Sequence, residues 1–340
     1  MQQLTAYIKA IIDNHGGDLA WASQKFGIPI DKWLDLSTGI NPYSYPVLQI
    51  QKDDWHFLPT RVQLEGVIDA ARIYYCVPDK TKIIIGPGSQ MLVNCLALIL
   101  PEPKKIAIIY PTYEGHAQAF LNAGFQLTKC HNLHEIADSP CTYAVVVNPN
   151  NPDGRVHHSS DLLKLANLLH QRGGALIVDE AFADTTPQIS LAPSATEQGL
   201  IVIRSVGKFF GLAGLRVGFM LGCHPILDQL RLIMHPWPIG NYILKTVQSF
   251  LLDHAWQNRM RQQLTIEAIS MDNFLLELGL HPVRGVALFC LIEQDDALSI
   301  YRKLANCGIY VRAFSTYPRW LRLGLLTSEN YERFRKAFTS

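Results

Sequence analysis

Lys208 is the residue in this sequence best suited to covalent chemistry. It lies in the run Arg204-Ser205-Val206-Gly207-Lys208-Phe209-Phe210-Gly211-Leu212-Ala213-Gly214-Leu215-Arg216, among glycines and apolar side chains. Apolar surroundings disfavour an ammonium and lower its pKa, which suits an amine that condenses with a carbonyl. A surface lysine in a glycine-rich loop is the ordinary alternative. Arg216 opens the next apolar run, where a guanidinium suits bidentate phosphate binding. Asp179 follows four apolar residues in Ala175-Leu176-Ile177-Val178-Asp179-Glu180-Ala181-Phe182. A carboxylate at such a strand end needs a partner. It can pair with a protonated ring nitrogen, hold a metal or cap a helix. No G-x-x-x-x-G-K-[ST] accompanies it, so a nucleotide-bound metal is the weaker reading.

Two loops add anion and oxygen ligands. Gly86-Pro87-Gly88-Ser89-Gln90 follows Ile83-Ile84-Ile85 and precedes an apolar helix. Backbone N–H groups at a helix start form an anion cup, and glycine lets the chain approach closely. An ordinary tight turn has the same composition. Asn148-Pro149-Asn150-Asn151-Pro152-Asp153-Gly154 follows Val145-Val146-Val147. Ligands of an open α/β sheet lie beyond the carboxyl ends of its strands. Asparagines there can donate to a ligand oxygen, or serve only as turn formers.

These groups need a scaffold of strands and helices. Candidate strands are Lys82–Ile85, Ile106–Tyr110, Tyr143–Val147, Ala175–Val178, Leu200–Ile203 and Arg216–Leu221. They are Ile/Val-rich without clear alternation, as in a sheet covered on both faces. Helices fall between them, including Ser89–Leu100 and Ser160–Gln171, the latter stopped by Gly173-Gly174. This alternation predicts a three-layer α/β/α fold with a mostly parallel sheet. After the break at Met234–Gly240, a long helical stretch runs from Tyr242 to Leu278. Then come a strand (Val286–Ile292), a helix (Asp296–Cys307), strands Ile309–Arg312 and Trp320–Leu325, and a helix (Glu329–Phe338). The expected organisation is an N-terminal arm over 1–40 (a helix, a Gly-Gly turn and an extended segment), a large domain over 41–235 and a small α+β domain over 236–340.

The bulk numbers bound the function. With 340 residues, 48% hydrophobic and 17% charged, the chain can bury a sizeable core. A net charge of +1 implies neither a nucleic-acid surface nor a basic membrane patch. Seven dispersed cysteines without a C-x-x-C pair read as reduced thiols. No signal peptide or membrane span is legible, so the expected location is the cytoplasm. His157-His158 and the Cys130, His131, His134 group lack a second pair at zinc spacing, so no metal site is expected. Trp33, Trp55, Trp237 and Trp256 read as core or interface, and Glu267, Asp272 and Glu277 as a solvated helix face.

The ordered set Pro111-Thr112-Tyr113, Asn148–Gly154, Asp179–Phe182, Ser205-x-x-Lys208 and Arg216 resembles the fold-type I enzymes that use pyridoxal 5'-phosphate (PLP), close to the histidinol-phosphate aminotransferases. His15-Gly16-Gly17 and Asp35-Leu36-Ser37-Thr38-Gly39-Ile40-Asn41-Pro42 resemble pieces of the cobalamin-pathway L-threonine-O-3-phosphate decarboxylases. The resemblance implies that Lys208 forms the imine with the cofactor and moves protons. Asp179 would pair with the pyridinium nitrogen and Tyr113 stack on the ring. Asn151 would bond the ring hydroxyl oxygen, and Gly88, Ser89, Gln90, Ser205 and Arg216 would hold the phosphate. It further implies that Arg322 binds the substrate carboxylate, that Asn41 and Asn151 line the substrate site, and that His15 with the Gly16-Gly17 backbone grips the substrate phosphate.

The implied activity is a PLP-dependent lyase. It would decarboxylate L-threonine O-3-phosphate to (R)-1-aminopropan-2-yl phosphate for cobalamin synthesis, acting as a homodimer. The alternative is a histidinol-phosphate-type class I/II aminotransferase acting on a phosphorylated amino compound. Three positions depart from relatives. Phe182 stands where the aminotransferases usually have tyrosine, while the decarboxylases tend to have phenylalanine. Leu58-Pro59 replaces a Tyr-Pro by which a partner subunit often reaches the cofactor phosphate. Leu326 stands where some relatives carry a second arginine, four residues after Arg322.

Overall fold

The structure, a computed structural model, describes residues 16–339. Among these residues twelve strands form two sheets. In chain order they are β1 (Leu34–Leu36), β2 (Lys82–Gly86), β3 (Lys105–Ile109), β4 (Gln126–Cys130), β5 (Tyr143–Val147), β6 (Ala175–Asp179), β7 (Leu200–Ser205), β8 (Gly218–Gly222), β9 (Pro282–Val286), β10 (Phe289–Glu293), β11 (Ile309–Ala313) and β12 (Trp320–Gly324). The chain divides into two compact units. The larger holds Tyr43–Asn151 and Arg155–Arg261; the smaller holds the described residues through Pro42, Pro152–Gly154 and those from Gln262 onward.

In the larger unit the sheet order is β2-β8-β7-β6-β5-β3-β4. Every neighbouring pair is parallel except the two that β8 makes, with β2 and with β7. Six strands therefore run one way, and their carboxyl ends open on a single edge. β5 and β6 are buried along their whole length, which explains their unbroken apolar sequences. Ile84, Ile106, Ile108, Val145, Ile177 and Ile203 share one core with Leu92, Leu96 and Phe120 of the helices Ser89–Ile99 and Glu114–Asn122. The helix Ser159–Gln171 packs on β6 and β7 through Leu162, Leu165 and Leu169. The expected three-layer α/β/α architecture with a mostly parallel sheet is what forms.

The smaller unit has a five-stranded sheet of order β1-β11-β12-β10-β9. β1 joins β11 in parallel, with Leu34 opposite Ile309, while β10, β11 and β12 pair antiparallel. The helix Ala297–Asn306 lies against β11 and buries Ile300, Tyr301 and Leu304.

Several expectations need correction. The helical stretch from Tyr242 is two helices, Asn241–Leu252 and His254–Glu277. Asp253 leaves the helical region, and its side chain accepts from the Trp256 N–H at 2.9 Å, starting the second helix. The division between units falls after Arg261 rather than at 236. The helix Asn241–Leu252 belongs with the larger unit because Leu244, Val247 and Phe250 are buried there and it packs along the helix Arg61–Tyr74. The strand expected over Val286–Ile292 is a hairpin of β9 and β10, with Phe289 opposite Val286. β4 was missed because Gln126-Leu127-Thr128-Lys129-Cys130 is an edge strand with only Cys130 buried. A helix at Leu19–Phe26, capped by the Asp18 side chain, follows the Gly-Gly turn and was also missed. Asp272, expected on a solvated face, is paired with Arg284 at 2.8 Å. Among the described residues no helix is long and apolar enough to cross a membrane.

Candidate active site

The larger unit brings the chemistry-bearing residues to the carboxyl edge of its sheet. Gly86 ends β2, Asp179 ends β6 and Ser205 ends β7, while Tyr113 and Asn148 lie just beyond β3 and β5. β8 runs the other way, so it begins at this edge, with Gly86 and Ser205 both opposite Gly218. Arg216, expected inside a strand, precedes β8 in a left-handed conformation, φ 52° and ψ 60°. That bend is costly for a side chain with a Cβ. It turns the guanidinium back under the β2 loop, where a Cβ on Gly88 would lie 2.7 Å from its Nη2. Gly88 itself has φ +87° and stands as N-cap of Ser89–Ile99. The first-turn amides of that helix have no intrahelical partners. The dipole and the guanidinium together make an anion cup.

The Gln90 side chain also has a structural part. Its side-chain amide donates to the Gly115 carbonyl at 3.1 Å and to Asn94 Oδ1 at 2.9 Å. It braces the Tyr113 loop and leaves only its main chain toward the cup. The three asparagines after β5 also divide. Asn148 exchanges bonds with the main chain of His157, and Asn150 accepts from Thr112 Oγ1 at 2.7 Å while donating to the Pro111 carbonyl at 2.8 Å. Both are committed to holding loops. Asn151 is half-buried at the same edge.

Asp179 is buried, and both carboxylate oxygens are held. Oδ1 accepts from the Ala181 N–H at 2.9 Å, and Oδ2 lies 2.7 Å from Nε2 of the buried His116. An ionised Asp179 requires the His116 proton on Nε2. His116 escaped the sequence reading. The signal that would have found it is the need of a strand-end carboxylate for a partner, one helical turn after Tyr113. The Tyr113 ring meets the His116 ring edge-on, with centroids 5.6 Å apart.

Lys208 is half-buried, and its Nζ stands 5.7 Å from the centre of the Phe182 ring. Its loop is anchored by Phe209 and Phe210. The Phe210 ring stacks on Phe250 at 4.1 Å and on Trp256 at 5.6 Å, and its carbonyl accepts from the Tyr45 N–H. An amine, a buried carboxylate and a cationic phosphate cup on one sheet edge fit the aldehyde, ring nitrogen and phosphate of PLP. Among the described residues no group of His, Cys, Asp or Glu is poised to hold a metal.

The smaller unit gathers a second set. Arg322 is 8% exposed, donates from Nη2 to the Ser37 carbonyl at 2.7 Å, and lies 5.4 Å above the Phe289 ring. The β11–β12 ladder puts Arg312 directly opposite Arg322. Directly paired residues point to the same face of a sheet, so two guanidinium groups share one face. Arg312 rests over Phe314 at 5.3 Å. Sequence reasoning missed it, because the register that sets 312 against 322 is not written in either strand. Leu326 is fully buried, so the position where a second arginine was sought is core.

Gly17 donates its N–H to Ser37 Oγ at 2.7 Å, and a Cβ on Gly16 would strike the Ser37 carbonyl. This glycine pair therefore seats the turn on Ser37. That bond commits the Gly17 amide to Ser37. Asn41 is buried in the same unit. His15 lies outside the described residues.

Comparison with known proteins places these features. Residues 53–338 match the family described as aminotransferase class I and II. The threonine-phosphate decarboxylase of Pseudomonas aeruginosa is 37% identical over 322 residues, covering 93% of each chain. That of a Sinorhizobium species is 36% identical over 92% of each. Among solved structures, histidinol-phosphate aminotransferase from Sinorhizobium meliloti in complex with PLP superposes with a TM-score of 0.80 at 16% identity, over 96% of this chain and 95% of that one.

Proposed function

Since the chain belongs to the class I and II aminotransferase family, we propose that it is a PLP-dependent lyase that decarboxylates L-threonine O-3-phosphate to (R)-1-aminopropan-2-yl phosphate, a step toward cobalamin. The observation that carries the choice of substrate is the Arg312–Arg322 pair on one face of the smaller unit's sheet. Two guanidinium groups directly opposite each other concentrate positive charge on that face, which suits a substrate with more than one anionic group. Threonine phosphate brings two anionic groups, a carboxylate and a phosphate; L-histidinol phosphate brings one. Arg322, held by Ser37 and Phe289, would take the carboxylate. Arg312 would take the phosphate, the role first sought in His15 and the Gly16-Gly17 backbone.

When bound, PLP supplies an electron sink for the pair released at the substrate Cα. The chain's residues prepare that chemistry. Asp179, held by His116 and the Ala181 amide, would keep a proton on the ring nitrogen. Tyr113 would cover the ring and Asn151 would donate to its hydroxyl oxygen. Gly88, Ser89 and Gln90 with their amides, Ser205 and Arg216 would hold the phosphate. Phe182 has no hydroxyl to offer the ring oxygen. Lys208 would carry the cofactor and return a proton to Cα after CO₂ leaves. Fixing both ends of the substrate sets which Cα bond stands over the ring and so which bond breaks.

A homodimer is part of this reading. Val47, Leu48, Trp55, Phe57, Leu58 and Val62 are all exposed within one short stretch, with Trp55 at 75%. An apolar patch of that density is uncommon on a monomer. Light scattering should give twice the chain mass. Product analysis tests the reaction itself. With L-threonine O-3-phosphate, the enzyme should release aminopropanol phosphate, and 2-oxoglutarate should yield no glutamate. Glutamate formation, or preference for L-histidinol phosphate, would move the assignment to the aminotransferases.

A further inference from the structure

We infer that Arg204 is a positioning residue: it staples the turn carrying Phe182 and, through that ring, sets where the Lys208 amine stands. The inference rests on Lys208 being the cofactor-bearing lysine.

Arg204 is the largest of the fully buried side chains, at 1% exposure, in the last turnless stretch of β7 before Ser205. Its Nη1 donates to Glu180 Oε2 at 2.5 Å and to Ser190 Oγ at 3.1 Å, and its Nη2 donates to Asp184 Oδ1 at 2.5 Å. Glu180 and Asp184 lie two residues before and two residues after Phe182. One planar guanidinium thus grips both shoulders of the turn, and only the fixed fork of an arginine reaches two carboxylates in this way. The turn is drawn tight by Ala183 N–H donating to the Glu180 carbonyl at 3.1 Å, and Glu180 Oε1 takes the Leu191 N–H at 2.6 Å. Phe182, at the apex, is 5% exposed and holds its ring 5.7 Å from Lys208 Nζ.

Asp184 also ties the other side of the lysine. Its carbonyl accepts from Arg261 Nε at 2.8 Å, and the Arg261 guanidinium lies 5.1 Å over the ring of Phe209, the residue after Lys208. The ring facing the amine and the ring following it are therefore referred to one carboxylate residue. Tyr75 closes the underside, with the Arg204 guanidinium 4.5 Å over its ring. None of these groups need touch cofactor or substrate. Their effect is on where Lys208 and Phe182 stand.

A double-mutant cycle on the PLP-loaded enzyme tests this. Asp184→Ala frees the far shoulder but leaves the Arg204–Glu180 pair, and Phe182→Leu removes the ring but leaves the staple. Each single variant should lower kcat about tenfold with KM little changed, raise the Kd for PLP about as much, and weaken the visible circular dichroism of the bound cofactor. The double variant should be no worse than either single one. Additive losses, or an Asp184→Ala enzyme with wild-type Kd and dichroism, would overturn the inference. If either single variant fails to fold, Arg204→Lys takes its place: it keeps the charge, reaches one carboxylate, and should show the same dichroism loss, with a wild-type spectrum counting against the staple. Borohydride trapping on the wild type keeps the two readings apart. Absence of a pyridoxyl adduct at Lys208 sinks the cofactor assignment, whereas an adduct there with additive losses sinks the staple alone.

Discussion

The two units differ in the charges they place around the residues assigned to chemistry. In the larger one, each buried charged side chain already has its counterpart: Asp179 with His116, and Arg204 with Glu180 and Asp184. Such networks are costly to leave incomplete, and complete ones are rigid. In the smaller one, Arg312 and Arg322 stand directly opposite each other, and Arg322 donates to the Ser37 carbonyl. The first arrangement suits a site that holds one cofactor in one pose. The second concentrates positive charge on one face, which suits an anionic substrate. Reaction type would then be set in the larger unit and substrate choice in the smaller.

Substitutions in the two units should accordingly fail in different ways. The largest effect belongs to the larger unit: Lys208→Ala should cut kcat by about 10³-fold or more and abolish the borohydride-trapped adduct, in steady-state assays with peptide mapping. Residual turnover near wild type would break the division at its base. Next, Arg322→Leu should lower kcat/KM for threonine phosphate by roughly 10²-fold, since it removes a nearly buried charge contact. Bound PLP, followed by its visible absorbance, should be unaffected. Loss of cofactor from this variant would show that the units do not divide the labour.

Arg312→Gln sharpens the comparison further. It should raise KM for threonine phosphate by roughly tenfold or more while leaving turnover of unphosphorylated L-threonine, measured alongside, unchanged. Equal losses on both substrates would remove Arg312 from phosphate recognition. The smallest effect concerns stability. Burial pushes the Glu180 carboxyl up, and the Arg204 guanidinium opposes it only in part. The folded protein thus holds this proton more tightly than the unfolded chain, where glutamate titrates near about 4.3. The stabilising contribution is complete below that unfolded value and is lost as pH rises through the raised folded one. Melting curves of Glu180→Gln should therefore show a flatter dependence on pH than the wild type between the unfolded value and the raised folded one. Parallel curves would contradict the direction.

The two units also differed in how much their sequence disclosed. In the larger one, the apolar strands end on the residues that do chemistry, so Asp179, Ser205 and Gly88 could be placed from chain order alone. What escaped there depended on side-chain pairing across strands. Asn148 and Asn150 look like Asn151 in the sequence, yet they are spent on His157, Thr112 and Pro111. His116 acquires its meaning only beside Asp179. In the smaller unit less was legible. β1 is three residues long and pairs with a strand far along the chain. Arg312 faces Arg322 only through a hairpin register that the strand pattern does not specify. The Gly16-Gly17 turn is seated on Ser37, a contact twenty residues away that its own sequence does not announce. Local patterns disclose strand ends well and long-range pairing poorly.

L-Threonine O-3-phosphate labelled with ¹³C at the carboxyl carbon offers the most direct test of the account as a whole. Two anchored anionic ends and a lysine that returns the proton predict that the label leaves as CO₂ and that aminopropanol phosphate accumulates with many turnovers per site. Label retained in a phosphorylated keto acid, with a single turnover unless 2-oxoglutarate is added, would contradict it.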